Sequence, residues 1–357
     1  MFRRTSPRPA CRHQGISRTR SLTLLRSILL RLATMAVTLF GAAVIVFFVI
    51  RVVPGNPIAM MLPPGASEAD IARLSAHYGL DKSIPEQFVI WLTGVLRGDF
   101  GTSISLRQPV MPLVLGRLPA TLELSIFALV LAVIIGGATA LAGTLWRGTK
   151  TEAAIDVANG VGLSVPDFLW ALVLILLFGV LVPIFHISGR ISPSAELPFV
   201  TQFYVFESIA RLRFDLWWDL LKHMFMPALA LAIPLAAIIS QLLKQSLKET
   251  MHLDYVVLAR TKGYGENHVI LSESLPNAVL PTLTLIGVQF TFLVGGTVII
   301  ERLFSYEGLG NMAIDAVINR DLPLIQGIVL VFALIFTLIN LLVDMTYALL
   351  NPRLRHA

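Results

Sequence analysis

Charge is scarce in this sequence. Asp, Glu, Lys and Arg together make up 14% of its 357 residues, against about a quarter in a soluble globular domain. A single cysteine, Cys11, rules out an intrachain disulfide framework. No GxxxxGK[ST] loop occurs, so the chain lacks that phosphate cradle, and any ATP that drives it must be bound by another chain. The seven histidines are scattered, with neither an HExxH pair nor a tight His/Cys/Asp cluster visible along the chain, and no serine sits in GxSxG. A metal site, a zinc protease and a serine-nucleophile intramembrane enzyme are thereby left without a signature.

What the chain has in excess is apolar length. Hydrophobic residues make up 55% and the mean hydropathy is +0.77. A helix needs roughly 20 residues to cross about 30 Å of hydrocarbon. Six windows almost without charge meet that length: Arg31 to Arg51, Glu123 to Arg147, Asp156 to Arg190, Lys222 to Lys244, Glu273 to Glu301 and Asp321 to Asp344. They enclose 19, 23, 33, 21, 27 and 22 residues. One such window could be the core helix of a soluble protein; six in succession predict an all-α polytopic membrane protein with the lipid bilayer as its solvent.

An even number of spans puts both termini on one face. With the termini inside, residues 1–31, 145–156, 244–280 and 351–357 carry 16 Lys and Arg in 87 positions, whereas 54–118, 188–222 and 302–323 carry 11 in 122. Basic residues are retained on the cytoplasmic side, so both termini are expected there. Ser103 and Ser194 should then face outward and Lys262 inward. The net charge of +6 is accounted for by the first segment, with eight Arg and no acid. It points to an anionic leaflet and not to nucleic acid.

These features divide the chain into a basic arm (1–24), a first transmembrane helix (25–53), an extracytoplasmic cap (54–118) and a five-helix core (119–357) containing an inner loop (244–280). The arm reads first as an unstructured cytoplasmic tail or an overextended start, with an organellar transit peptide, whose Ser- and Arg-rich composition it shares, as the minor alternative. No small-residue cleavage site follows Ile50, so the first span should be retained. Within the cap, Ser67 to Tyr78 and Ile84 to Arg97 have helical patterning. Pro166 should break the third window into an approach helix and a span proper. Pro234 and the Gly295-Gly296 pair read first as helix-packing features, with a gating hinge as the alternative. Asp344 reads as a hydrated residue at the inner end of the sixth span, although an ionisable group there is also a functional candidate.

The inner loop contains Asp254-Tyr255-Val256-Val257-Leu258-Ala259-Arg260-Thr261-Lys262-Gly263. Asp254 can cap a helix start and Gly263 can take the left-handed stop. Tyr255, Leu258, Ala259 and Lys262 then fall at i, i+3, i+4 and i+7, on one side of a short helix. That side suits a docking partner, or a membrane surface approached by Arg260 and Lys262.

At this point the sequence resembles the inner-membrane permeases of ATP-binding-cassette importers. Their loop signature reads Glu-Ala-Ala, three residues, Gly, nine residues, Ile, one residue, Leu-Pro. Ala259, Gly263, Leu275 and Pro276 match it, whereas Val257, Leu258 and Glu273 depart from it. The form typical of the dipeptide and oligopeptide branch, Asp-Tyr-x-x-x-Ala-Arg-x-Lys-Gly, is met in full by Asp254 to Gly263. Pro54-Gly55-Asn56-Pro57, Leu96 to Ser103, Arg117 to Leu124 and Gly308 to Arg353 are similar to the same branch, with Glu307 where a Pro is usual.

The resemblance implies the type I importer permease fold and residence in a bacterial inner membrane. It implies a non-catalytic subunit forming half of a pore for di- or oligopeptides, the B-type permease of a heterodimer. Its partners would be a second homologous permease, two ATPase subunits that bind ATP and Mg, and an extracytoplasmic peptide-binding protein. Asp254, Tyr255, Leu258, Ala259, Arg260, Lys262 and Gly263 would be the coupling residues that meet an ATPase subunit, with no cofactor in this chain. Nickel chelates, glutathione and opine-like compounds are alternative cargoes on the same scaffold.

Overall fold

In a computed structural model the backbone is described for residues 16–52, 67, 81–193 and 199–350; side chains are not described for 16–29, 50–52, 344 and 346–350. The helical patterning of Ser67 to Tyr78, the position of Ser194 and the environment of Asp344 lie outside what is described. Among the described residues the elements are helical: α1 (Ile16–Val52), α2 (Ile84–Leu96), α3 (Val110–Leu145), α4 (Lys150–Ser164), α5 (Asp167–Leu181), α6 (Tyr204–Ala210), α7 (Phe214–Thr250), α8 (Asp254–Thr261), α9 (Glu266–Leu303), α10 (Leu309–Ile318) and α11 (Leu322–Leu350). Five are long and apolar enough to cross a membrane, and the bent pair α4–α5 makes a sixth span if counted as one.

Two expectations change in detail. α1 begins at Ile16, so part of the basic segment 1–24 is helical backbone and not an unstructured arm. The third window contains a charge, Asp167, and it lies at the break: the chain bends by 106° between α4 and α5, around Pro166. The proline cannot donate to a continuing helix. Asp167 is the first residue of the new helix, where its carboxylate accepts from the Phe168 amide at 2.8 Å and complements the positive helix end. The approach helix starts at Lys150, earlier than Asp156, because Thr149 caps it by accepting from the Glu152 amide. In α5, residues Ile175–Leu181 are π-helical.

The centre of the molecule is the pair α3 and α7, joined by two stripes of small side chains. On α3, Ala128, Ala132, Gly136 and Ala140 recur every fourth residue, all buried; on α7, Ala228, Ala232, Ala236 and Ser240 do the same. Stripes of this kind let two helix backbones approach closely in lipid, where apolar side chains gain nothing by leaving the bilayer. At Gly136 the approach is closest, and a Cβ there would stand 2.6 Å from the Ala236 carbonyl oxygen. Ser240 adds polar ties, to Thr139 at 3.0 Å and to Asn159 of α4 at 2.9 Å.

Gly295 and Gly296 of α9 do not play that part. Among the described residues, no atom beyond the helix's own neighbouring turn lies within 4 Å of a Cβ built at either position, so tight packing against the described helices does not account for them. α2, within the described part of the cap, sits on α1 through an aromatic cluster of Phe47, Phe88 and Trp91, with ring centroids 5.1 to 6.1 Å apart.

Candidate coupling site

The loop between α7 and α9 folds as the short helix α8. Leu253 is its N-cap, so Asp254 is the first helical residue, and its charge favours the start without a side-chain capping bond. The stop is the expected one. Gly263 has φ +86°, a conformation that glycine adopts without a Cβ penalty. The Gly263 amide donates to Arg260 O at 3.0 Å and the Tyr264 amide to Ala259 O at 3.4 Å, satisfying the last carbonyls.

The proposed face divides in two. Leu258 is 54% exposed and Tyr255 38%, whereas Ala259 is 5% exposed. Ala259 packs with Val256 and Val269 in a small cluster of the chain's own. It therefore faces inward and is not on the surface a partner would meet. The outward stripe is Tyr255, Leu258 and Lys262, joined by exposed Leu253, Val257 and Tyr264. Two apolar stripes overlap on this helix, and i, i+3, i+4 spacing did not decide which was buried; Val256 three residues before Ala259 was the available signal.

The helix is strapped to the rest of the loop. Arg260 donates to both carboxylate oxygens of Glu266, Nε at 2.8 Å and Nη2 at 3.1 Å, and Nη1 reaches the Met251 carbonyl at 3.3 Å. Asn277, near the start of the apolar part of α9, donates to the Tyr255 hydroxyl at 2.9 Å. Arg260 is thus a brace, with its fork committed within the chain. Glu266, Asn277 and Val269 belong to the site although the sequence pattern did not mark them. A rigid, outward-facing apolar stripe joined by side chains to the feet of α7 and α9 is suited to carry a push from a partner into the bundle.

About 55 Å away along the 37 residues of α7, at 1.5 Å per residue, the opposite end is held by buried acidic and basic side chains. Glu123 of α3 pairs with Arg190 at 2.6 Å and accepts from the Val205 amide at 2.8 Å. Arg190 also lies 4.0 Å over the Tyr204 ring. Glu301 of α9 accepts from Thr121 at 2.7 Å and from the Asn311 amide, near the start of α10, at 2.9 Å. Asp321, just before α11, accepts from the hydroxyls of Ser103 and Ser105 at 2.6 and 2.7 Å. Burial drives the Asp321 pKa up, but the hydrogen bonds from Ser103 and Ser105 outweigh it and hold the carboxyl below its usual range. Ser103 is consequently buried and is not the accessible outer position expected of it.

Two family models cover nearly all of the chain. Residues 128–356 match the binding-protein-dependent transport system inner membrane component, and residues 24–125 match the N-terminal binding-protein-dependent transport system membrane component. The chain belongs to this permease family. Among its relatives, the dipeptide transport system permease protein DppB of Escherichia coli is 36% identical over 339 residues, covering 93% of this chain and 99% of that protein. DppB of Alkalihalophilus pseudofirmus is 34% identical, covering 91% and 98%. The glutathione transport system permease protein GsiC of Salmonella choleraesuis is also 34% identical, covering 93% and 100%. A solved chain of an amino acid ABC transporter with histidines overlaps with a TM-score of 0.45 at 18% identity, covering 68% of this chain and 94% of that one; the family match, and not this overlap, carries the assignment. As a member of the permease family, the chain is a membrane-embedded transport subunit with an all-α fold.

Proposed function

We propose that this permease forms half of the pore of a bacterial inner-membrane importer for di- or oligopeptides. It pairs with a second, related permease and receives cargo from an extracytoplasmic peptide-binding protein. Two ATPase subunits bind ATP and Mg on the cytoplasmic side, where both termini of this chain also lie; the chain itself contributes no cofactor. Peptide as cargo is supported by its relatives, several of which are named as dipeptide permeases.

The observation that carries the coupling role is α8, with Leu258 and Tyr255 outward and Ala259 and Arg260 fixing it from behind. Leu258 in a partner's groove removes apolar area from water, at roughly 25 cal/mol per Å². A carboxylate at the same place would be buried unpaired, at a cost of at least several kcal/mol. The test is Leu258→Asp in the assembled transporter. The variant should insert and retain its permease partner, but lose ATPase subunits on purification and lose ATP-driven uptake. Wild-type uptake with intact co-purification would remove α8 from the coupling role.

The similarity to GsiC supports glutathione as a second cargo reading. Binding of dipeptides against glutathione by the cognate extracytoplasmic protein separates the two.

A further inference from the structure

Three potential metal ligands that are far apart or unremarkable along the sequence meet at the end of α7 remote from α8. They are His186, in the loop between α5 and α6, and Asp219 and His223, one turn apart on α7. One ligating atom from each lies within 4.8 Å of the other two.

Two of the three are held in advance. His223 is buried, and its Nδ1 lies 2.9 Å from the Asp219 backbone carbonyl. A carbonyl only accepts, so Nδ1, the nitrogen 3.8 Å from the Asp219 carboxylate, carries the proton, and it is the Nε2 lone pair that is left for another partner. A hydrogen bond of this kind is what fixes the tautomer of a metal-binding histidine. The Asp219 carboxylate is oriented by Ser192, whose amide donates to one oxygen at 2.8 Å and whose hydroxyl donates to the other at 2.7 Å. Each oxygen retains a lone pair. The third ligand, His186, is exposed and its ring stacks on that of His223, with centroids 4.0 Å apart and planes 7° from parallel. Lys222, the adjacent cation on α7, sits 5.9 Å over the Trp218 ring.

We propose that His186, Asp219 and His223 bind a divalent cation of the zinc class. Two imidazole nitrogens and one carboxylate oxygen, with a water as the fourth ligand, form a donor set suited to zinc and its borderline neighbours. Ligands at about 2.1 Å from a tetrahedral ion stand on the order of 3.4 Å apart, so from separations within 4.8 Å the cluster closes by at most about 1.4 Å. Parallel rings cannot both hold one ion in plane. His186, on the exposed loop, turns to present its nitrogen while His223 stays in place. The ion would clamp this loop to α7, and the same loop reaches α3 through Arg190 and Glu123.

The test uses the full-length chain with its permease partner, purified through a tag without histidine and stripped by a chelator. Titration with zinc chloride should show one saturable site per chain, and cobalt(II) should give the intense visible absorption of a tetrahedral nitrogen and oxygen site. His186→Ala should weaken zinc binding about tenfold or more and abolish the cobalt band, while His268→Ala on the α9 side leaves both unchanged. His223 is buried and its replacement risks misfolding, so the exposed His186 carries the test, with zinc-free thermal unfolding of His186→Ala matching wild type. Equal zinc affinity in wild type and His186→Ala, or no saturable site in wild type, would overturn the assignment.

Discussion

Arg190 lies 2.6 Å from Glu123, and both side chains are almost wholly withdrawn from water. A pair like this gains little over apolar packing, yet breaking it leaves an uncompensated buried charge at a cost of about 3–5 kcal/mol. Replacing Glu123 with Gln or Arg190 with Met should therefore lower the thermal unfolding temperature of the detergent-purified chain markedly. The double replacement should be less damaging than the sum of the two singles. Additive losses in a double-mutant cycle would show that the contact carries no coupling energy.

The α3–α7 seam makes a prediction with an internal control. At Gly136 an added Cβ would stand 2.6 Å from a backbone oxygen of α7, whereas at Gly137 no described atom beyond the helix's own neighbouring turn lies within 4 Å. Gly136→Val should cost about 1–3 kcal/mol through overpacking, seen as reduced yield and earlier thermal unfolding. Gly137→Ala should be close to neutral. Equal behaviour of the two variants would mean that the seam is not tightly packed.

How far the sequence disclosed this fold depends on whether each signal is local. Apolar windows of about 20 residues are local, and so is the break at Pro166, whose missing amide acts within its own turn. The small-residue stripes were not legible as a seam, because Ala132 or Ala232 is equally apolar whichever neighbour it meets. Glu123, Glu301 and Asp321 marked the edges of windows, but hydropathy gave no hint that each is buried against a distant partner. Asp321 and Ser103 are separated by 218 positions. At the coupling site, the helix and its Gly263 stop follow from local rules, while the inward turn of Ala259 depends on Val269 across the loop. The His186, Asp219 and His223 cluster was hidden for the same reason.

Asp321 gives a pH prediction. Its folded pKa is depressed, so its contribution to stability is present above the unfolded carboxylate value near 4 and is lost as pH falls through the lower folded value. Asp321→Asn should remove this contribution at neutral pH and flatten the acid limb of the stability profile below about pH 4. Thermal unfolding of both forms across that range is the measurement. Parallel acid limbs would assign the pH dependence to other carboxylates.

Topology is tested at positions the structure leaves open to reagent. On a Cys11→Ser background, Leu106→Cys, half exposed at the end of the bundle remote from α8, should react with a membrane-impermeant maleimide in intact cells if the termini are cytoplasmic. Lys262→Cys, at the C-cap of α8, should react only after lysis. Ser103 is a poor probe because its side chain is sealed against Asp321. Labelling of Lys262→Cys in intact cells would reverse the orientation.

The two neighbouring residues of α8 should fail in different ways. Ala259→Asp places a carboxylate in the chain's own cluster with Val256 and Val269. An unpaired buried charge there costs several kcal/mol, more than one short helix can absorb, so α8 should come loose before any partner is present. Leu258→Asp puts the same charge on a side chain that is 54% exposed in the isolated chain, where water solvates it and the fold should stand. Limited proteolysis of the permease without ATPase subunits should therefore cut within residues 253–265 of Ala259→Asp but spare Leu258→Asp, while both variants lose the ATPase subunits on assembly. A Leu258→Asp permease that is cut as readily as Ala259→Asp would mean that Leu258 supports the loop itself, and its effect on assembly could no longer be read as lost docking.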